Sequence, residues 1–418
     1  MGLHLKTAAA IFTRSPSAFV RAHLHALHSG RCSLFIPDHD HGLLREAVQY
    51  CDRVTVYSDQ PADPALCEYE KISVADLPTH RSIPDELAPE TAVAVLFTSG
   101  STDRAKLVAK TFRNFAGEAR SLDKIFRTPS DRIRVLTTLP FEHMYGYMYG
   151  FFWPRLMGLD APDSRITLPT ALTKELQLSD LPVWLITTPL HLNAFAETGL
   201  RTDKVARVFS ATSALSSALA TDAKRCFGVA VTDIYGSTET GTIASRQMPN
   251  EVDLWECIPG RSLSQCADGR VQLDCVDFSE PELLNDVLEL SSPQQFRVLG
   301  RSADLVKVAG KRSSLGALNA ALLAAPGVRD GSFWVPDQQA QDADLVRLVA
   351  FAVLRDGTSQ EAVIAHLRTH IYPVFLPRPL IIVDRLPRDT VGKLPRESLR
   401  ELYTACTLQG SASTVRAD

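Results

Sequence analysis

The chain has 418 residues, 45% of them hydrophobic and 22% charged, with a formal net charge of -4. This apolar content suits a globular fold of about two or three domains and excludes both a disordered chain and a disulfide-dependent miniprotein, while the mild acidity gives no bulk attraction to nucleic acid or to an anionic membrane. Eight cysteines, at 32, 51, 67, 226, 257, 266, 275 and 406, form no C-x-x-C pair of the zinc or redox kind and read as reduced, mostly buried thiols.

In chain order, the N-terminus carries neither a cleavable signal pattern nor a long apolar run, and the most apolar stretch, Tyr147 to Leu159, is interrupted by Pro154 and Arg155. A soluble, cytoplasmic protein without membrane insertion is expected. His23, His25 and His28 on a predicted helix read as a polar face, and Asp38-His39-Asp40-His41 reads as an extended loop whose successive side chains diverge, which disfavours a metal site. From about Ser33, short apolar runs alternate with amphipathic segments, the pattern of parallel strands joined by crossover helices. Strands are predicted at Ala92 to Phe97, Ile133 to Thr137, Val183 to Thr187, Arg207 to Ser210 and Ala230 to Tyr235. Helices are predicted at Asn114 to Phe126 behind a capping Asn, at Leu190 to Glu197 and at Leu215 to Phe227.

Beyond Gly241 the segments shorten. Arg270 to Val276 and Val287 to Leu290 suit a small antiparallel subdomain. After a boundary near Arg301, Leu315, Leu318 and Leu322 make a helical stripe ended by Pro326-Gly327, Leu345 to Leu354 reads as a buried strand, and Thr358 with Glu361 resembles a capping box. The fold class is therefore α/β: a large N-terminal domain over residues 1–300, built of α/β subdomains plus the antiparallel one, then a small α+β C-terminal domain over 301–410 and a disordered tail over 411–418.

The sharpest local signal is Thr98-Ser99-Gly100-Ser101-Thr102-Asp103-Arg104-Ala105-Lys106, directly after a predicted strand. Small residues leave main-chain N–H groups exposed, the hydroxyls add donors and Lys106 adds positive charge, so a polyphosphate fits; taken alone, such a run is more often an ordinary surface turn. It is not a Walker loop, because Lys106 stands between Ala105 and Leu107 rather than between Gly and Ser or Thr. Tyr235-Gly236-Ser237-Thr238-Glu239-Thr240-Gly241 follows at a strand end, then Gly300-Arg301, Lys307-Val308-Ala309-Gly310 and Asp389-Thr390-Val391-Gly392-Lys393.

In this order the segments resemble the signature set of the adenylate-forming superfamily, which includes acyl-CoA synthetases, luciferases and the adenylation domains of peptide synthetases. The resemblance implies an enzyme that uses ATP and Mg²⁺ to turn a carboxylic acid into an acyl-adenylate and passes the acyl group to the thiol of coenzyme A or of a phosphopantetheine arm. It implies that Thr98, Ser99, Gly100, Ser101, Thr102 and Lys106 hold the β- and γ-phosphates. Thr238 would donate to the α-phosphate, Glu239 would ligate Mg²⁺, Tyr235 with Gly236 would lie against adenine, and Asp286 and Arg301 would hold the ribose. Lys393 would bridge the acid and the α-phosphate, on a C-terminal domain that is mobile. Pro140-Phe141-Glu142-His143-Met144-Tyr145-Gly146 resembles the family segment whose His, here His143, sits between the acyl and nucleotide pockets. Amino-acid-activating relatives carry an Asp after the Phe of that segment; Glu142 matches poorly, so an acid without an α-amino group is expected.

The chain departs from the family pattern at Asp103 and Ala105, where Gly and Pro are usual, at Ala303, where a hinge Asp or Lys is usual, and at Leu284-Asn285, where a Thr-Gly pair usually precedes the ribose aspartate. The N-terminal lobe, Met1 to about Thr91, is short for the family. The chain looks most like compact bacterial ligases that load aryl or acyl groups onto carrier proteins, including those of aryl-polyene (xanthomonadin-type) pathways. An aryl acid such as a hydroxybenzoate is the expected substrate, with Tyr145, Tyr147 and Trp184 as candidate pocket walls. Arg378, Arg388, Arg396 and Arg400 are candidate contacts for an acidic acyl carrier protein. An aliphatic acyl-CoA synthetase, a catalytically silent nucleotide-binding or regulatory relative and a phosphotransferase using the same loop are the alternatives.

Overall fold

The computed structural model describes residues 4–60, 62–98, 106–128, 132–249, 253–301, 304–336, 347–389 and 392–413. Val183–Thr187 is buried at every position, as an unbroken apolar run must be when both faces of a parallel strand are covered. It pairs in parallel with Arg134–Thr137 on one side and Val205–Ser210 on the other, and Val231–Ser237 follows in parallel. Beyond that strand the sheet turns antiparallel, through Gly241–Met248, Trp255–Cys257, Gln295–Arg301 and Asp286–Ser292, making eight strands in all. A second, six-stranded sheet runs in the order Glu70–Ser73, Cys51–Ser58, Leu5–Phe12, Cys32–Phe35, Ala92–Thr98, Lys106–Thr111, parallel except for its last pair. Its third member, Leu5–Phe12, lies before the first strand read from sequence; an alanine-rich run lacks the β-branched signature by which strands are recognised.

One apolar cluster joins the two sheets, taking in Ile11, Phe35 and Leu96 from the first, Val135, Trp184 and Phe209 from the second, and residues of the helices Pro16–His28 and Phe112–Phe126. The aromatic segment 144–156 threads this layer as a helix whose middle, Met148–Phe152, is π-helical. The widened turn precedes Pro154, whose ring would meet the carbonyl four residues back in a regular α-helix. Helix ends are set one or a few residues away from the expected caps. Thr111, not Asn114, caps Phe112–Phe126, with Asn114 closing the reciprocal box, and Ser359, not Thr358, accepts from the Ala362 N–H to open Gln360–His370.

The antiparallel subdomain is the three-stranded sheet Arg261–Gln265, Val271–Cys275 and Glu282–Leu283. The C-terminal domain opens on the hairpin Leu305–Val308 and Lys311–Ser314, and then packs the helices Leu315–Leu323 and Gln360–His370 on the sheet Val328–Trp334, Val349–Leu354 and Leu380–Ile382. Its main apolar cluster, from Val306 to Leu380, contains no residue from the N-terminal domain. The last helix, Arg396–Ser413, runs into the stretch for which composition predicts disorder. Among the described residues no helix is long and apolar enough to cross a membrane. Of the eight cysteines only Cys32 and Cys226 are buried, so most thiols sit nearer the surface than expected.

Two histidine readings are corrected. Asp38 to His41 is not an extended loop: Pro37–His39 forms a 3₁₀ turn, and the Asp40 carboxylate caps His41–Val48 by accepting from the Gly42 and Leu43 N–H groups at 2.7 and 3.1 Å. His23 does not lie on a polar face but is fully buried, with Nδ1 2.8 Å from the Ser33 hydroxyl and Nε2 2.8 Å from the Tyr147 hydroxyl. Burial, and then the nearby Arg155 charge, hold its imidazole down at about 3. The unfolded chain therefore binds a proton at this site below pH 6.5 while the folded chain does not, so stability from His23 is complete above 6.5 and is lost as pH falls from there towards 3. The group should cost the wild type about 2 kcal/mol between pH 7 and pH 5. Melting midpoints at the two pH values, compared with those of His23→Gln, test this; equal acid slopes in the two proteins would sink it.

Candidate active site

The four parallel strands of the eight-stranded sheet end along one edge, and beyond their carboxyl ends stand His143, Thr238 and Glu239 of the expected site, as the topology of open α/β sheets favours. Pro140 to Gly146 follows Arg134–Thr137, and there His143, half-buried, stands at the cap of the helical segment that begins at Met144. Thr188 and Leu190 follow Val183–Thr187, and the Thr138 hydroxyl donates to Thr187 Oγ1 at 3.1 Å, tying two of these ends together. Thr212, with a left-handed φ of 82°, follows Val205–Ser210.

Val231–Ser237 continues into the turn that carries Thr238 and Glu239. That turn is closed by local hydroxyl bonds: the Ser237 N–H donates to Thr240 Oγ1 at 3.0 Å and the Thr240 N–H donates to Ser237 Oγ at 3.2 Å. Gly241, at φ 65°, brings the chain back as the next antiparallel strand. Gly236 lies at an irregularity in the pairing that starts between Tyr235 and Gly236. The Tyr235 ring is held between Trp255 and Phe296, each with its centroid 5.4 Å away, and its hydroxyl donates to Asp286 Oδ2. Asp286 opens its strand directly opposite Arg301. Three residues far apart in sequence, expected around one nucleoside, thus meet at one place.

Ser99, Gly100, Ser101 and Thr102, with Asp103 to Ala105, lie outside the described residues, as do Ala303, Thr390 and Val391. What is described is the stem of the loop: Thr98 pairs with Lys106 at the start of an antiparallel return strand, and Lys106 Nζ reaches to 3.8 Å from Glu239 Oε1. A cation from the phosphate-type loop and the carboxylate expected to hold metal therefore face each other. Magnesium is usually held by one or two carboxylates together with substrate phosphates and water. Glu239, with its side chain 22% exposed at the tip of a turn, suits that mode. Among the described residues no group of three or more His, Cys, Asp or Glu surrounds a common point.

Lys393 arrives from the C-terminal domain. Its own N–H donates to Asp389 Oδ1 at 2.8 Å, and its carbonyl accepts from the Asp389 N–H at 2.8 Å. Arg388 donates to the Gly392 carbonyl at 2.8 Å and clasps Asp330 through two bonds of 2.7 and 2.6 Å. Gly392, at φ 83°, lies so close to the N-terminal domain that a β-carbon there would be 3.3 Å from Leu190 Cβ and 3.9 Å from Thr188 Oγ1. The Lys393 loop thus docks on the same sheet edge as His143 and Glu239. A cavity of 680 Å³ fills the adjoining crevice between the domains, lined by Leu190, Asn193 and Ser213 on one side and by Lys307 and Leu394 on the other. Arg329 pairs with Glu197 across it.

Several expectations are corrected here. Tyr147 and Trp184 are fully buried core residues, Tyr147 bonded to His23, so neither walls a pocket; Tyr145, whose ring centre lies 4.8 Å from that of Tyr149 at a tilt of 56°, is the one of the three with surface left to offer. Arg388 is engaged by Asp330 and only partly exposed, whereas Arg378, Arg396 and Arg400 are exposed, Arg400 beside Glu397 on the same helix. Sequence reasoning missed Lys110, Glu118 and Asp330. Burial pushes the Lys110 ammonium down to about 8, with Glu118 acting in the opposite direction. The signal that marks Lys110 is its period: in Lys106–Thr111 it shares a face with Lys106, four residues earlier on a strand.

The family model described as AMP-binding enzyme matches residues 5–272, and the one described as AMP-binding enzyme C-terminal domain matches 319–393. A 4-coumarate--CoA ligase of Cereibacter sphaeroides is 28% identical over 311 residues, covering 71% of this chain and 69% of its own. The solved structure of ATP-bound MatB from Rhodopseudomonas palustris superposes with a TM-score of 0.79 at 17% identity, over 96% of this chain and 90% of that one. The o-succinylbenzoate coenzyme A synthetase (MenE) of Bacillus subtilis, in complex with ATP and magnesium ion, does so with 0.75 at 17%, over 94% and 89%.

Proposed function

The chain belongs to the AMP-binding enzyme family, and from that premise we propose that it is an ATP-dependent, AMP-forming acid–thiol ligase. The observation that carries the reading is that Gly392, next to Lys393, lies against Thr188 and Leu190 at the end of a strand in the sheet that also carries the Glu239 turn, where Glu239 faces Lys106. In the first step a carboxylate oxygen attacks the α-phosphorus of ATP, the bond to the bridging oxygen of the β-phosphate breaks, and pyrophosphate leaves. Two anions must approach, so the residues' task is to supply positive charge where negative charge concentrates. Lys393 bridges the carboxylate and the α-phosphate, Lys106 with the Thr98 to Thr102 loop holds the β- and γ-phosphates, and the Thr238 hydroxyl donates to the α-phosphate. Bound Mg²⁺, held by Glu239, would neutralise phosphate charge. Tyr235 and Gly236 carry the adenine, and Asp286 and Arg301 the ribose. His143 separates the acyl and nucleotide pockets.

In the second step a thiolate attacks the acyl carbonyl and AMP leaves. The C-terminal domain, residues 301–410, moves between the steps, breaking the contact of Gly392 with Leu190. The acceptor is coenzyme A or the phosphopantetheine of an acyl carrier protein, for which exposed Arg378, Arg396 and Arg400 are the candidate basic contacts. An aryl acid is the favoured substrate; the 4-coumarate named for the Cereibacter relative supports it, as does Tyr145 near the His143 segment. A short aliphatic acid is the second reading, favoured by the withdrawal of Tyr147 and Trp184 into the core.

Acid-dependent exchange of labelled pyrophosphate into ATP, run over aryl and aliphatic acids, tests the activity. Exchange with release of AMP is expected; a protein silent with every acid, or one that releases ADP, contradicts it. Parallel trials with coenzyme A and a phosphopantetheinylated carrier identify the acceptor. Arg388→Met should lower exchange roughly tenfold, because the Lys393 loop loses its tether to Asp330 and a misplaced catalytic group is costly. Thioester formation from preformed acyl-adenylate, which does not need Lys393, should change less than twofold in the same variant, on the order of experimental scatter. Equal losses in both half-reactions would refute the tether.

A further inference from the structure

The turn bearing Thr238 and Glu239 is braced from beneath by two buried side chains of opposite charge, both from the chain that follows the phosphate-type loop. Lys110, 4% exposed, donates from Nζ to the Glu239 carbonyl and lies 5.1 Å from the centre of the Phe278 ring. Glu118, 3% exposed on the inward face of Phe112–Phe126, accepts from the Thr242 N–H at 2.9 Å through Oε1. Its other oxygen fills the space a β-carbon on Gly241 would take, at 2.2 Å. The Thr242 hydroxyl is in turn 3.1 Å from that of Tyr149.

We infer that Lys110 is a positioning residue for Glu239, its ammonium fixing the main chain of the metal-binding turn to the strand that returns from the phosphate loop. The inference rests on the ligase reading above and deepens it. Lys106 and Lys110 lie on one face of one short strand, so the group that meets phosphate and the group that locks the metal turn move as a unit. An apolar side chain of the same length would pack beside Phe278 equally well, but would leave the Glu239 carbonyl without its donor. The turn would then relax, and a displacement of the carboxylate by a fraction of an ångström is enough to slow a reaction that depends on placed charge.

A purely structural role, in which Lys110 only neutralises Glu118, makes a different prediction, and the pair of variants Lys110→Met and Lys110→Met/Glu118→Gln separates the two. Under the inference, Lys110→Met lowers kcat for pyrophosphate exchange by roughly 10- to 100-fold and raises the Mg²⁺ concentration for half-activity several-fold, with the KM for the acid within about twofold. The double variant, which buries no unpaired charge, stays equally slow, and Lys110→Arg, which retains a donor, recovers most of the rate. Recovery in the double variant, or wild-type kcat in Lys110→Met, overturns the inference while leaving the ligase reading intact. Should the single variant not fold, the double variant decides. A wild-type protein silent with every acid overturns the ligase reading, and this inference falls with it.

Discussion

Lys393→Ala is expected to lower acid-dependent pyrophosphate exchange by about 100-fold or more, without measurable loss of fold. Lys393 is exposed, and the bonds that shape its loop, from Asp389 to the Lys393 main chain and from Arg388 to Gly392, use none of its side chain. The truncation therefore removes the ammonium while keeping those main-chain bonds. An ammonium that bridges an incoming carboxylate and an α-phosphate is worth most when charge is spread between them, so the loss should fall on kcat more than on the KM for the acid or ATP. The second half-reaction, started from synthetic acyl-adenylate, should keep its rate. Unchanged exchange in the variant would remove the central element of the proposed mechanism.

Glu239→Gln should be nearly as severe, with exchange down on the order of 100-fold and the Mg²⁺ dependence moved to higher concentration. Glutamine preserves the size of a side chain that is mostly shielded in the turn, and the Ser237–Thr240 bonds that set the turn do not involve it. What disappears is the negative charge that would hold the metal and that faces Lys106 at 3.8 Å. Raising Mg²⁺ should recover part of the rate, whereas loss of a merely structural carboxylate would be insensitive to the metal. A Mg²⁺ titration of exchange identical to that of the wild type would rule out Glu239 as ligand.

Much of the candidate site could be named from sequence because its expected chemistry is written in contiguous residues. Tyr235 to Gly241 needs small and hydroxylated residues to make a tight turn at a strand end, and the structure builds that turn from Ser237 and Thr240. Val183–Thr187 was legible because a strand covered on both faces has to be apolar throughout. Other residues were misread for one shared reason: their environment comes from remote segments. His23 has the spacing of a polar helix face, yet Tyr147, 124 positions on, and Ser33 absorb both of its ring nitrogens. Arg388 has the look of a surface cation, yet Asp330, 58 positions earlier, holds it. Tyr147 and Trp184 suit a pocket by type and are placed in the core by packing.

By itself the amino-acid order determined the α/β class and which segments are candidates for the site, since strand period, turn composition and hydroxyl-rich loops are local properties that a few neighbouring residues settle. Only the tertiary structure decided which of those parts meet. Docking of the Gly392 loop on Leu190, the Tyr235 hydroxyl on Asp286, and the paired braces of Lys110 and Glu118 under the Glu239 turn join segments more than 50 positions apart. The free energy of a charge depends on what surrounds it once water is removed, and that surrounding is assembled only when the sheets pack.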